Sequence, residues 1–257
     1  MSFKLARAVR RGLTNGEPLP DVFLSLKDRG IHFYRGSTAI VAGLSGSMKS
    51  MFLGQLVDDL KIPTLYISND TNEMDTIARF LSRRTKQDSH IMRLKALKDP
   101  EWASERLSDM DWVRWSFDAS PSLEDIEEEI MAFEELWGEH PHLVVVDILM
   151  KVDYYEDGGG SLESIVKYLD KLARETGSCI IIAHHTSENE PGNPTQGKKA
   201  LLQKVDKFAV LVLTTAYIEG IFYLAPVKNR NGFADPTGHN SIQFIIDPSI
   251  ATLEEIE

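Results

Sequence analysis

The stretch AIVAGLSGSMKSMFLGQLV, Ala39 to Val57, changes character twice. Ala39-Ile40-Val41-Ala42 is a short apolar run of strand type. Gly43-Leu44-Ser45-Gly46-Ser47-Met48 is a loop of mostly small residues. Lys49-Ser50 then opens a segment whose apolar residues Met51, Phe52, Leu53, Leu56 and Val57 follow helical spacing. Strand, glycine-containing loop, Lys-Ser and helix follow one another as in a phosphate-binding loop. Small residues let successive backbone N–H groups curl around a phosphate, and a helix N-terminus adds its partial positive charge. In that arrangement Gly43, Ser45, Gly46, Ser47 and Met48 line the loop, Lys49 reaches the β- and γ-phosphates, and the Ser50 hydroxyl holds Mg²⁺. The pattern is G-x-x-x-x-G-K-[ST]; Met48 stands where its second glycine belongs, with Gly46 expected to supply some of the lost freedom. A Gly/Ser turn that merely precedes Lys-Ser gives the same string, so the rest of the chain has to decide.

At 257 residues the chain is long for one domain but within the range of α/β folds, and 42% apolar residues suffice for a substantial core. A net charge of -11 excludes a generally basic coat, so any nucleic-acid contact has to be local. The single cysteine, Cys179, excludes an internal disulfide and fits a reducing, cytoplasmic setting. Lys4, Arg7, Arg10 and Arg11 are not followed by the apolar segment of a secretory signal, and no apolar run approaches the roughly 18 residues of a membrane span. Residues 1–20 are expected to form a basic arm broken by Gly16-Glu17-Pro18-Leu19-Pro20, and residues 21–257 one domain.

Beyond the loop, Thr64 to Ser68 has the composition of a buried strand, and Asn69 to Asn72 caps a helix expected over Glu73 to Arg84. Asp70 and Glu73 thus fall at the carboxyl end of a strand, where α/β sheets gather their chemistry, although Asn and Asp also serve there simply as caps. Trp112 to Phe117 alternates like a strand, within a segment, residues 85–120, that is otherwise hard to read. Pro121 to Trp137 is a helix whose acids Glu124 to Glu129 form a solvated face. Leu143-Val144-Val145-Val146-Asp147 is a buried parallel strand ending in an acid, about 100 residues after the loop. Asp153 to Gly160 is a flexible connection, followed by an amphipathic helix over Ser161 to Glu175. Cys179 to Ala183 is another buried strand, ending in His184-His185-Thr186. Those imidazoles pair with core carbonyls, bind a metal, or sense a phosphate. A polar loop, residues 187–199, leads to Lys198, Lys199 and Lys204. Phe208 to Thr214 and Gly220 to Val227 then form two strands, and Ser241 to Ile246 a last one.

In this order the residues resemble the RecA-like ATPase core of the DnaB-type hexameric replicative helicases and the related plasmid RepA-type helicases, over roughly residues 20–247. The resemblance implies an α/β fold with a mostly parallel twisted sheet flanked by helices and a C-terminal antiparallel hairpin. The family's catalytic acid falls on or near Asp70, its magnesium-binding acid on Asp147, and its phosphate sensor on His184 or His185. Lys228-Asn229-Arg230-Asn231-Gly232 is close to the family's Lys-x-Arg-Asn-Gly, whose Lys and Arg reach into the neighbouring subunit's nucleotide. Gly197, Ala200, Leu201 and Asp206 look like the family segment beside the DNA-binding loop, so Lys198, Lys199 and Lys204 are the expected DNA contacts. Met48 for glycine and Asp70 for the longer glutamate depart from the family. With no N-terminal helicase domain in this sequence, the compact form is that expected of a phage or plasmid protein.

The resemblance thus implies an enzyme that binds ATP and Mg²⁺ and acts on single-stranded or forked DNA in replication, recombination or repair. It would assemble as a hexameric ring or filament with ATP at its subunit interfaces, off the membrane. Two other readings stand beside it. Asp70, Asp147, His184 and His185 together would suit a metal-dependent, structure-selective nuclease. A non-hydrolysing DNA- or protein-binding scaffold, with ATP as its glue, is the other.

Overall fold

The computed structural model describes residues 16–153, 161–186 and 205–256. Its frame is a nine-stranded sheet in the order β3-β2-β4-β5-β1-β6-β7-β8-β9. The strands are β1 (Thr38–Gly43), β2 (Thr64–Ser68), β3 (Val113–Ser116), β4 (Leu143–Asp147), β5 (Cys179–His185), β6 (Leu211–Ile218), β7 (Ile221–Asn229), β8 (Ile242–Asp247) and β9 (Thr252–Glu255). β1 to β6 pair in parallel, and β6 to β9 run back and forth as antiparallel neighbours. The helices are α1 (Leu24–Asp28), α2 (Lys49–Leu60), α3 (Glu73–Thr85), α4 (Ser89–Lys98), α5 (Pro100–Arg106), α6 (Leu123–Trp137) and α7 (Leu162–Thr176), with a 3₁₀ turn at Leu149–Lys151.

The central strands are buried on both faces, which is why they read as unbroken apolar runs rather than alternating ones. Alternate residues still go to opposite sides. Val41, Tyr66, Val145, Ile181 and Leu213 meet α2 on the first face, and Ile40, Ile67, Val146, Ile182 and Val212 meet α6 and α7 on the second. Phe52 of α2 stacks between Phe23 and Phe222 at centroid distances of 5.7 Å each, tying the loop helix to both ends of the chain. Truncating a buried aromatic of this kind costs about 3–5 kcal/mol. The last strand holds α2 as well: Gln55 Nε2 donates to the Leu253 carbonyl at 2.9 Å, and Leu253 N–H donates back to Gln55 Oε1 at 2.6 Å.

The expected strands and helices are present with shifted ends. The helix after β2 runs Glu73–Thr85 with Asn72 as its N-cap, and the two late strands form the hairpin β6–β7. Three findings differ from the expectations. The illegible segment 85–120 holds α4 and α5, each opened by an Asp side chain: Asp88 accepts from His90 N and Ile91 N, and Asp99 accepts from Trp102 N. Ser241 to Ile246 is not the last strand, because β9 follows it through a turn in which Ala251 takes a φ of 53°. The acidic face of α6 is only partly solvated. Glu129 accepts from Arg114 Nε at 2.7 Å, and Glu127 accepts from the Tyr168 hydroxyl. At the chain's start, Pro18 bridges to Tyr34 and Leu19 is in the core, whereas Lys4, Arg7, Arg10 and Arg11 lie outside the described residues.

Candidate active site

The loop that follows β1 is shaped by what surrounds Gly43. A Cβ there would come within 2.3 Å of Thr215 Oγ1, 2.6 Å of Ser47 Oγ and 2.7 Å of the Thr215 carbonyl. Only hydrogen fits. Thr215 and Ser47 meet across it, their hydroxyls 2.8 Å apart. Gly46 takes a φ of 76°, and Met48 one of 63° with ψ at 20°. Gly46 therefore does not relieve Met48. The left-handed conformation falls on the very position where the motif calls for glycine, and a side chain there costs roughly 1–2 kcal/mol.

Lys49 begins α2 and is 4% exposed. Its ammonium donates to the Gly43 carbonyl at 3.1 Å, the Leu44 carbonyl at 2.8 Å and Ser47 Oγ at 3.3 Å, so it lies folded over the loop. Burial pulls its pKa down to about 8 against the pull of Asp147 and Asp70. Asp147 ends β4 and is 3% exposed. Burial raises its pKa, opposed by hydrogen bonds from the Ser50 and Tyr66 hydroxyls. The Tyr66 hydroxyl donates to Asp147 Oδ2 at 2.9 Å. Ser50 and Asp147 thus offer a hydroxyl and a carboxylate side by side at a helix N-terminus. These are hard oxygen donors of the kind Mg²⁺ takes, one or two from protein and the rest from water and phosphate. The residues fit the ion.

Asp70 stands beyond β2, next to β4. Asn69 clasps the two strand ends: its backbone N–H donates to the Asp147 carbonyl at 3.0 Å and its side-chain Nδ2 to the Ile148 carbonyl at 3.0 Å, while Ile148 N–H donates to its side-chain oxygen. Asp70 is paired with Lys151, and the hydrogen bond from that ammonium is the main cause of its lowered pKa. Glu73 is exposed at the start of α3, where a carboxylate favours the positive end of the helix.

The two histidines part company. β1 and β5 pair so that Ala42 faces His184 and Gly43 faces His185. His185 continues the alternation of Ile181 and Ala183, hence the face of α2, Lys49 and Asp147. Its pKa is lowered by burial and then by Lys49. His184 continues that of Ile180 and Ile182, on the far face. It is fully buried, neither ring nitrogen has a partner among the described residues, and burial lowers its pKa to about 4. Thr214, paired with Ala42 on the strand opposite, and Thr186 also carry buried hydroxyls without a partner among the described residues.

Lys228 and Arg230 lie elsewhere. β7 runs antiparallel to β6, so Asn229 pairs with Leu211, and Leu211 pairs with Ala39 at the start of β1. The loop stands at the other end of β1, about 16 Å away for five residues of strand. The Arg230 guanidinium donates to the Lys207 carbonyl at 2.8 Å, and Lys228 donates to the Asp206 carbonyl. Lys198, Lys199 and Lys204 lie outside the described residues, as does most of the expected flexible connection at 153–160. Among the described residues no group of three or more His, Cys, Asp or Glu is placed to hold a metal ion. No helix among them is long and apolar enough to cross a membrane.

Sequence reasoning passed over Tyr66, Asn69, Lys151 and Thr215. A tyrosine between Leu65 and Ile67 in the buried-type strand Thr64-Leu65-Tyr66-Ile67-Ser68 was the available signal for the first. Thr215 needed the pairing of β6 with β1, which no local pattern announces.

The sheet order and the loop after β1 define a RecA-like P-loop fold. The chain superposes on a solved DnaB-like replicative helicase, described with its interactions with primase, at a TM-score of 0.79 and 13% identity, over 100% of this chain and 68% of that one. It superposes on a second solved structure, an ATPase domain, at a TM-score of 0.75 and 14% identity, over 99% of this chain and 96% of that one. No protein-family model matches. In sequence it is 30% identical over 248 residues to the gene 65 protein of Mycobacterium phage L5, covering 90% of this chain and 91% of that protein. It is 32% identical over 224 residues to the gene 65 protein of Mycobacterium phage D29, covering 81% and 95%. The chain belongs to this family of mycobacteriophage gene 65 proteins.

Proposed function

We propose that the protein binds ATP with Mg²⁺, hydrolyses it, and uses the cycle to act on single-stranded or forked DNA as a ring or filament of identical subunits. The observation that carries this reading is the pair of opposed ends on the sheet. Lys49, Ser50 and Asp147 converge at the carboxyl end of β1, β4 and the start of α2, while Arg230 sits at the other end.

In this reading the loop N–H groups and the N-terminus of α2 take the phosphates. Lys49 exchanges its three loop oxygens for the β- and γ-phosphate oxygens. Ser50 and Asp147 hold the cation, which when bound neutralises charge between those phosphates. Asp70 orients the attacking water, with Glu73 exposed nearby at the mouth. His185 rather than His184 reports the γ-phosphate, because it shares the face of Lys49. Lys228 and Arg230 complete the site of the next subunit, and Lys198, Lys199 and Lys204 contact DNA. The replicative helicase among the solved structural relatives supports a translocating role.

A second reading has its own support. Met48 in a left-handed conformation and Asp70 already paired with Lys151 both favour slow turnover, as in a scaffold that binds ATP without spending it. One experiment separates the readings. Labelled forked DNA is incubated with the protein, with and without ATP and Mg²⁺, and phosphate release, unwinding and cutting are scored together. Phosphate release stimulated by DNA supports the ATPase. Nucleotide-dependent DNA binding without release supports the scaffold, and cutting that needs metal but no ATP supports a nuclease.

A further inference from the structure

Tyr66 is the middle residue of β2, between Leu65 and Ile67, which face the opposite side of the sheet. Its ring stacks on Trp115 at a centroid distance of 4.7 Å, and Phe80 closes on the same indole edge-on at 5.3 Å. β2 and β4 pair with Tyr66 beside Val145 and Ser68 beside Asp147. The phenol therefore runs up the sheet, one ring length along the strand, and delivers its hydroxyl to Asp147 Oδ2 at 2.9 Å. Both residues are 3% exposed, so no bulk water competes for that oxygen. Both also line a small cavity of about 20 Å³ together with Ser50, Ser68, Thr71 and Arg79.

We propose that Tyr66 is a positioning residue for the cation site, its hydroxyl fixing the rotation of the Asp147 carboxylate; this rests on the reading of Ser50 and Asp147 as the cation's holders. The terminal torsion of an aspartate is broad and does not set itself. One carboxylate oxygen tied to a rigid, stacked phenol leaves the plane of the group determined. The carboxylate then stays turned to the Ser50 hydroxyl without waiting for the ion to order it. A strand that needed only an apolar side chain against Trp115 would be served by phenylalanine, which packs the same ring without a hydroxyl to satisfy.

The test is Tyr66→Phe in the full chain, compared with Phe80→Leu, which loosens the same aromatic stack but leaves the hydroxyl in place. Mn²⁺ replaces Mg²⁺ so that free and bound ion are counted by electron paramagnetic resonance in the presence of ADP, with no turnover involved. Fluorescent ADP measures nucleotide affinity separately in EDTA. Tyr66→Phe is expected to raise the Mn²⁺ dissociation constant about 10- to 100-fold, in line with losing a hydrogen bond to a charged metal ligand. Its metal-free ADP affinity should stay within twofold of the parent, and Phe80→Leu should leave both constants unchanged. A Mn²⁺ constant unmoved by Tyr66→Phe overturns the proposal, and so does an equal shift in Phe80→Leu, which would assign the effect to packing. A parent protein that binds ADP but no Mn²⁺ instead removes the cation reading of Ser50 and Asp147, and the proposal with it.

Discussion

Lys151 Nζ lies 2.8 Å from Asp70 Oδ1 and 3.2 Å from the Asn69 carbonyl oxygen. The group proposed to orient water is thus held by an ammonium from the turn after β4. A carboxylate so paired is the weaker base, as its lowered pKa says. The pair is nearly half exposed, which limits it to about 1 kcal/mol or less. Lys151→Met should therefore raise ATP turnover in the absence of DNA by about 2- to 5-fold, whereas Asp70→Asn should abolish it. A loss of turnover in Lys151→Met would show that the lysine orients Asp70 rather than restrains it.

Gly43→Ala tests the shape of the loop. The added methyl meets the Thr215 carbonyl at 2.7 Å, and a backbone atom inside the sheet cannot step aside as a side chain can. The variant should lose about 1–3 kcal/mol of stability in urea unfolding and show no measurable ATP binding. Gly46→Ser serves as the contrast: nothing lies within 4 Å of its added Cβ, and only the positive φ resists it. It should be the milder change in both measurements.

Met48→Gly addresses strain. Glycine removes the penalty of roughly 1–2 kcal/mol for the left-handed conformation but gives up the packing of Met48 against the core and adds freedom to the unfolded chain. Stability should stay within about 1 kcal/mol of the parent. The gain should show in function, as ATP binding tightened or turnover raised about 2- to 5-fold. Equal constants in calorimetry and equal rates would show that the strained loop already has its binding shape.

Acid should unfold the protein partly through His184. Burial holds its folded pKa at about 4, below the ordinary 6.5, so the folded state binds fewer protons than the unfolded one between those values. Stability is then complete above pH 6.5 and falls as pH drops toward 4, by at most about 1.4 kcal/mol per pH unit for one site. Urea midpoints for the parent between pH 7 and 4 should show this slope, and His184→Gln should lose it. A slope unchanged in the variant would assign the acid sensitivity to His185, whose pKa burial also lowers from 6.5, because Asp70, lowered from 3.8, titrates below this window.

Much of this arrangement was legible in the sequence because it is local. Lys49-Ser50 after a small-residue loop, and Asp147 after four apolar residues, are strings whose positions on strand ends follow from periodicity alone. The Asp99-Pro100 pair, an N-cap followed by proline at the first helical position, was also there to be read and would have revealed α5. What stayed hidden depends on registers between distant strands. The contact of Thr215 with Ser47 spans 168 residues, and that of Tyr66 with Asp147 spans 81. Which of His184 and His185 shares the face of Lys49 needed β5 to be paired with β1, because a shift of one residue would exchange their faces.

The same register argument gives the sharpest expectation for Arg230. Its backbone N–H donates to the Val210 carbonyl, and Val210 N–H donates in turn to the Thr38 carbonyl, at the start of β1. Lys49 stands at the other end of that strand, so no side-chain rotation brings the guanidinium to phosphates bound beside Lys49 in the same subunit. If Arg230 serves catalysis, it does so across a boundary, where an arginine stabilising the transferred phosphoryl group contributes about 10³ to 10⁵ in rate. Arg230→Ala should then bind ATP nearly as the parent does and hydrolyse it at least a hundredfold more slowly, while Lys49→Ala should fail at binding. Mixing the two inactive variants creates boundaries with Lys49 intact on one side and Arg230 intact on the other. Such boundaries should recover a fraction of parental turnover that rises and falls with the mixing ratio. Co-assembly can be followed by energy transfer between dyes on the two variants. Mixed assemblies that form and remain inactive would take Arg230 out of the site and leave it its present role, a brace from β7 to the Lys207 carbonyl.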